Sequence, residues 1–116
     1  MRNHFTNEEL RCPCCNELIF SADMLEKLNK ARRIAGIPFV INSGYRCFKH
    51  NREVGGKETS AHLAGLAVDI ECTNSRARML ILASLISVGF TRVGIGETFV
   101  HADDDPSKHP NVAWLY

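Results

Sequence analysis

The run SAHLAGLAVDIE (60–71) constrains this chain more than any other stretch. Over 66–72 it alternates as a half-buried strand does, sending Val68 and Ile70 to one face and Ala67, Asp69 and Glu71 to the other. Asp69 therefore faces away from an aliphatic pair suited to a core. His62 lies in the small-residue approach to the same strand, with Gly65 between them to permit a tight entry. Two polar, metal-competent groups thus sit beside a strand whose other face is apolar.

The flanking sequence supplies elements to pack against that strand. Ser21 is placed to cap a helix over 22–35, with Met24, Leu25, Leu28, Ala31 and Ala35 on one face and Gly36 in the stop position. IPFVIN (37–42) reads as a strand. The next segment, SGYRCFKHNREVGGKE (43–58), is rich in Gly and charge and reads as a long loop, a kind that often carries function in compact domains. Asn74 is expected to cap a second helix through Val88, with Met79, Leu80, Leu82, Ala83 and Ile86 as its apolar stripe and Gly89 ending it. TRVGI (91–95) and TFVHA (98–102) read as strands joined by a Gly96-Glu97 turn, and Phe99, His101 and Asp103 share one face. No repeat, linker or low-complexity stretch interrupts the pattern, so residues 1–116 are expected to form a single domain.

A chain of 116 residues buries only about two-thirds of its unfolded surface, and a metal or disulfide staple would help it. Its formal charge is +1 with both signs interspersed, which argues against nucleic acid as a partner. The longest apolar run, near 80–88, is too short to span a bilayer, so no membrane insertion is expected. MRNHFTNEELRC lacks the apolar core of a signal peptide. The chain is therefore expected to be made in the cytoplasm and to need release or export to reach an extracellular substrate. The five cysteines cannot all pair within one chain, and the CPCC run (12–15) departs from a C-x-x-C knuckle. A structural zinc there would need Cys47 or a distant histidine as fourth ligand, and reduced, half-buried thiols are the expected state.

His62, Asp69 and His101 each have an ordinary structural role when taken alone. Together, two imidazoles and a carboxylate make three protein ligands for zinc with a fourth position left to water, the pattern of a catalytic rather than a structural site.

Five motifs occur in one order: SGYR (43–46), HN (50–51), VGG (54–56), S-x-H-x-x-G-x-A-x-D (60–69) and F-V-H-x-D (99–103). In this the chain resembles the zinc D,D-peptidase family. That family comprises D-alanyl-D-alanine carboxypeptidases and dipeptidases, bacteriophage L-alanyl-D-glutamate endolysins and relatives of the hedgehog signalling domain. The resemblance spans about residues 5–103. It implies a small α+β domain, with an antiparallel sheet as the floor of a cleft and helices packed on one side of it. It implies one zinc ion (Zn2+) held by His62, Asp69 and His101, and hydrolysis of peptidoglycan stem peptides at the cell wall through a metal-activated water. Either D,D-carboxypeptidase or L-Ala-D-Glu endopeptidase activity fits.

Several family branches place an acidic base three or more positions before the last histidine. Glu97 stands four before His101, a departure from E-x-x-H spacing, at what reads as a hairpin tip. Asp103 shares the His101 face and is the leading candidate for the catalytic base, with Glu97 kept beside it. The alternative for Asp103 is to hold an imidazole or the substrate amine. Arg46 is expected to bind a substrate carboxylate or carbonyl with its planar fork, and Ser60 to contact the substrate or orient the first histidine. Tyr45, Phe48 and Trp114 read as packing, His50 and Asn51 as loop scaffolding, and His4 and His109 receive no role. The expected partner is the wall stem peptide, bound by a monomer. Two other readings are a catalytically silent zinc module that binds wall peptide or a protein, and a zinc-stapled structural domain of a phage. Retention of Arg46, Ser60 and two candidate acids favours the enzyme.

Overall fold

The computed structural model describes residues 3–116. The chain opens with α1, a single turn over Asn7–Leu10 closed by a capping box between Thr6 and Glu9. Ser21 Oγ accepts the Met24 amide and Gly36 ends the next helix in left-handed conformation, so α2 occupies Ala22–Ala35, the bounds its sequence signals predict. Strand β1 is short, Ile41–Ser43 rather than 37–42. The expected long loop contains a helix, α3 (Phe48–Glu53), because the Cys47 sulfur accepts the His50 amide as its cap. Phe48 is 68% exposed there, so it is not packing as expected. A 3-10 turn over Ala61–Ala64 leads into β2 (Ala67–Glu71). Gly65 joins them at φ 69°, and a Cβ at that position would overlap the carbonyl oxygen of Ile19.

Asn74 Oδ1 accepts the Ala77 amide at 2.8 Å and starts α4 (Ser75–Ser87). Strands β3 (Arg92–Ile95) and β4 (Phe99–Asp103) form the predicted hairpin, and β5 (Val112–Leu115) follows. The sheet order is β1-β2-β4-β3-β5. The expected α+β fold with an antiparallel sheet is found over β1, β2, β4 and β3, and β5 extends that sheet by pairing parallel to β3. Residues 104–111 make this possible by carrying the chain back past β3 before it pairs.

Helices α2 and α4 pack on each other and cover one face of the sheet. Met24 and Leu28 from α2, Ile81 and Leu85 from α4, Val68 and Ile70 from β2, and Val100 and Ala102 from β4 form the buried cluster. Each large aliphatic member contributes about 1.5–3 kcal/mol by leaving water. The buried face of α4 is corrected too: Ile81, Ser84 and Leu85 point inward, whereas Met79 and Ile86 are 69% and 61% exposed. Apolar residues occupy several sides of this helix, so spacing alone does not select a face. The buried Ser84 hydroxyl donates to the Ile81 carbonyl at 2.8 Å and leaves no polar group unsatisfied there.

Candidate metal centre and its cleft

The antiparallel register of β2 and β4 sets Asp69 directly opposite His101. Directly opposed residues project to the same side of a sheet, so carboxylate and imidazole share the face away from the core. His62 joins them from the 3-10 turn, where Ser60 Oγ accepts the His62 amide at 3.3 Å. His62 Nδ1–H donates to the Gly44 carbonyl at 2.7 Å, which turns Nε2 toward Asp69 Oδ2, 3.4 Å away. That Nε2 is buried and has no hydrogen-bond partner among the described residues. Across the site, His101 Nδ1 lies 2.9 Å from Asp69 Oδ1 and His101 Nε2 lies 2.7 Å from Asp103 Oδ2.

One ligand atom from each of His62, Asp69 and His101 falls within 4.8 Å of the other two. An orphaned imidazole nitrogen aimed at a carboxylate, with a second imidazole beside it, fits a divalent cation with borderline-soft preferences. A Peptidase M15 family model matches residues 3–103. This chain belongs to the peptidase M15 family. Its members are metal-dependent peptidases. No match was found among curated proteins.

The M15 site opens onto a cleft of about 560 Å³. Arg46, Lys57, Arg92 and Lys108 line it together with Ser60, Asp103, Trp114 and Tyr116. Arg46 Nε donates to Ser43 Oγ at 3.0 Å, Nη1 to Asn51 Oδ1 at 3.1 Å and Nη2 to Asp69 Oδ2 at 3.4 Å. These bonds use three of the five donors of a guanidinium, and Nη1 and Nη2 each keep one more N–H. Asn51, read as scaffolding, holds the fork in place. Glu97 is exposed on the hairpin turn and is not among the residues lining the cleft. The structure therefore brings together His62, Asp69, His101, Asp103, Arg46 and Ser60, and leaves Glu97 outside.

Trp114 is a wall of the cleft as well as a packing residue. Its ring lies 5.5 Å from that of His101 and beneath the Arg92 guanidinium at 5.1 Å, and Tyr116 stands 6.4 Å from His101. Gly94, opposite both His101 and Trp114 in the sheet, makes room for this wall: a Cβ there would come within 2.7 Å of the indole nitrogen. Sequence reading missed Arg92, Lys108 and Tyr116. Arg92 had a signal in the hairpin register, which pairs it with Asp103, and its Nε donates to Asp103 Oδ1 at 2.8 Å. The alternation of Trp114 and Tyr116 was a signal for the wall.

Charge is distributed unevenly within the centre. Burial alone would raise the Asp69 pKa, but the hydrogen bond from His101, the close approach of the His62 imidazole and the charge of both rings hold it well below the usual carboxylate range. Burial would lower the His101 pKa, but its bonds to Asp103 and Asp69 raise it above the ordinary value. Asp103 is likewise pushed up by burial and brought below its ordinary value, chiefly by His101. In the metal-free protein, ionised Asp69 stabilises the fold above about pH 4 and loses that contribution as pH falls through its depressed pKa. Protonated His101 stabilises it below about pH 6.5 and loses that contribution as pH rises through its raised pKa. Thermal melts in chelator are thus expected to peak between these limits. Added metal should help more as pH increases, because coordination needs a deprotonated imidazole nitrogen. A chelated protein whose midpoint keeps climbing past about pH 8 would contradict this linkage.

Proposed function

We propose that this M15 chain is a zinc peptidase that hydrolyses peptidoglycan stem peptides. The observation that carries the reading is the His62, Asp69 and His101 set, whose open side faces a cleft edged by cationic side chains. Stem peptides are short and rich in carboxylates, which suits a cleft of this size and charge. Zinc held by the three residues supplies a Lewis acid for the scissile carbonyl and lowers the pKa of water toward about 7.

The chain's own residues prepare that site. Gly44 fixes the His62 tautomer so that Nε2 would be the ligating atom, and Asp103 accepts from His101 Nε2 so that Nδ1 faces Asp69. Asp103 is itself held, with Oδ1 accepting from Arg92 Nε and from the Asp105 amide at 3.2 Å. A carboxylate engaged at both oxygens is suited to positioning His101 more than to collecting a proton, and this favours the alternative role over that of base. The free N–H groups of Arg46 are placed to hold a substrate oxygen, and Trp114 and Tyr116 shield one side of the reacting bond from water.

Asp103→Asn keeps an acceptor for His101 but loses the charge. As a positioning residue it should cost roughly 10–100-fold in zinc affinity or activity, with Glu97→Gln leaving both unchanged. Full zinc affinity together with a hundredfold or larger fall in turnover would return Asp103 to the role of base. The engagement of Asp103 and the distance of Glu97 also support a second reading, a zinc module that binds wall peptide without cutting it. Incubating zinc-loaded protein with purified muropeptides and weighing the products tests both. Cleaved stem peptides establish the peptidase and identify the bond. Retained but intact muropeptides establish the binding module.

A further inference from the structure

The cysteines do not behave as scattered thiols. Cys12, Cys14 and Cys15 come from the turn after α1, and Cys47 comes from the start of α3, yet one sulfur of each lies within 4.8 Å of the other three. The Sγ atoms of Cys12 and Cys14 are 3.6 Å apart, those of Cys12 and Cys47 3.6 Å, and those of Cys14 and Cys47 3.2 Å. The fifth, Cys72, is buried elsewhere near the Asn74 carbonyl. The odd count therefore resolves as four and one.

Core packing does not account for this convergence, because Cys14 and Cys15 are exposed and Cys47 is half-buried. The backbone is built to present the sulfurs. The Cys12 amide donates to the Glu17 carbonyl at 2.8 Å and the Asn16 amide to the Cys12 carbonyl at 2.9 Å, with Asn16 at φ 60°, so the CPCC segment folds into a tight knuckle. The second segment is laid against it by the Tyr45 amide on the Leu10 carbonyl at 2.8 Å. Amides then point at sulfur: Cys47 N donates to Cys12 Sγ at 3.5 Å and His50 N to Cys47 Sγ at 3.4 Å. Four zinc–sulfur bonds of about 2.3 Å set sulfurs about 3.8 Å apart in a tetrahedron, a spacing these four reach with small movements.

We propose that Cys12, Cys14, Cys15 and Cys47 form a second, structural zinc site that closes all four positions with thiolate. The cysteines are free, as expected, though Cys14 and Cys15 are exposed and not half-buried, and the proposal makes four of them a ligand set drawn from two chain segments. The ion would tie the α1 turn to the residue after Arg46, whose own amide donates to the His62 carbonyl at 3.1 Å. It would thus brace the loop that supplies one wall of the cleft without touching the cleft.

Zinc analysis of the full chain, purified under reducing conditions from zinc-supplemented medium, tests the site. Wild type should hold two equivalents and His62→Ala/Asp69→Ala one. Cobalt put in place of that remaining ion should give intense thiolate-to-metal charge-transfer absorption. Adding Cys14→Ser and Cys15→Ser should remove it. If those changes impair folding, alkylation of native wild type is decisive: Cys14 and Cys15 should resist iodoacetamide when zinc-loaded and react once zinc is stripped. One equivalent in wild type with none in the His62→Ala/Asp69→Ala protein would overturn the proposal. So would a disulfide within the cluster in freshly purified reduced protein, or equal alkylation of these cysteines with and without zinc.

Discussion

His62→Ala combined with Asp69→Ala is expected to remove the cleft metal and abolish turnover. The pair deletes two of three ligands, and His101 alone cannot hold the ion in a cleft open to water. Stability should fall with it, because an ion that binds only the folded chain stabilises it by roughly 4 kcal/mol at a thousandfold excess over its Kd. The substitution also leaves His101 Nδ1 and Arg46 Nη2 without their carboxylate. Chelated wild type is therefore the reference: the variant should melt at or below it and should gain no stability from zinc at the cleft. Elemental analysis and melting curves check this together. A variant that keeps the full zinc content and cleaves muropeptides would refute the assignment of this centre.

Arg46→Lys carries the second largest effect. Lysine keeps the charge but cannot hold Ser43, Asn51 and Asp69 at once while presenting two further N–H groups to a substrate oxygen. Stem-peptide binding should weaken by roughly 1.5–3 kcal/mol, about 10–150-fold, while zinc content is unchanged. Titration of both proteins with free-carboxylate and amidated peptides measures it. Equal affinities would show that the fork serves only to position Asp69, and the substrate assignment would fall with the metal centre intact.

What the sequence made legible follows from where its information is local. Ser21 and Gly36 bracket α2 because each cap is decided within four residues. Asp69 and His101 could be placed on cleft-facing strand positions because alternation needs only their neighbours. Features that depend on distant contacts were hidden. The buried side of α4 is chosen by α2 and the sheet and not by its own spacing. Strand β5 has four residues after a polar connection, and its parallel partner lies about twenty positions earlier. The knuckle at 12–15 shows three sulfurs, and only the return of the chain at Cys47 supplies the fourth. The matched family region ends at residue 103, so the aromatic wall also lies beyond it.

That wall differs from the floor in mechanical character. Asp69 and His101 sit on β2 and β4, each paired on both sides, whereas Trp114 belongs to a strand that, among the described residues, is bonded to β3 alone and in which Val112 and Leu115 are exposed. Amide exchange should accordingly be slower along β2 and β4 than along β5. The cleft thus sets a floor tied down on both flanks, which carries the ligand set, against a wall tied down on one, so a change in β5 would alter the cleft's width without passing through the strands that hold Asp69 and His101.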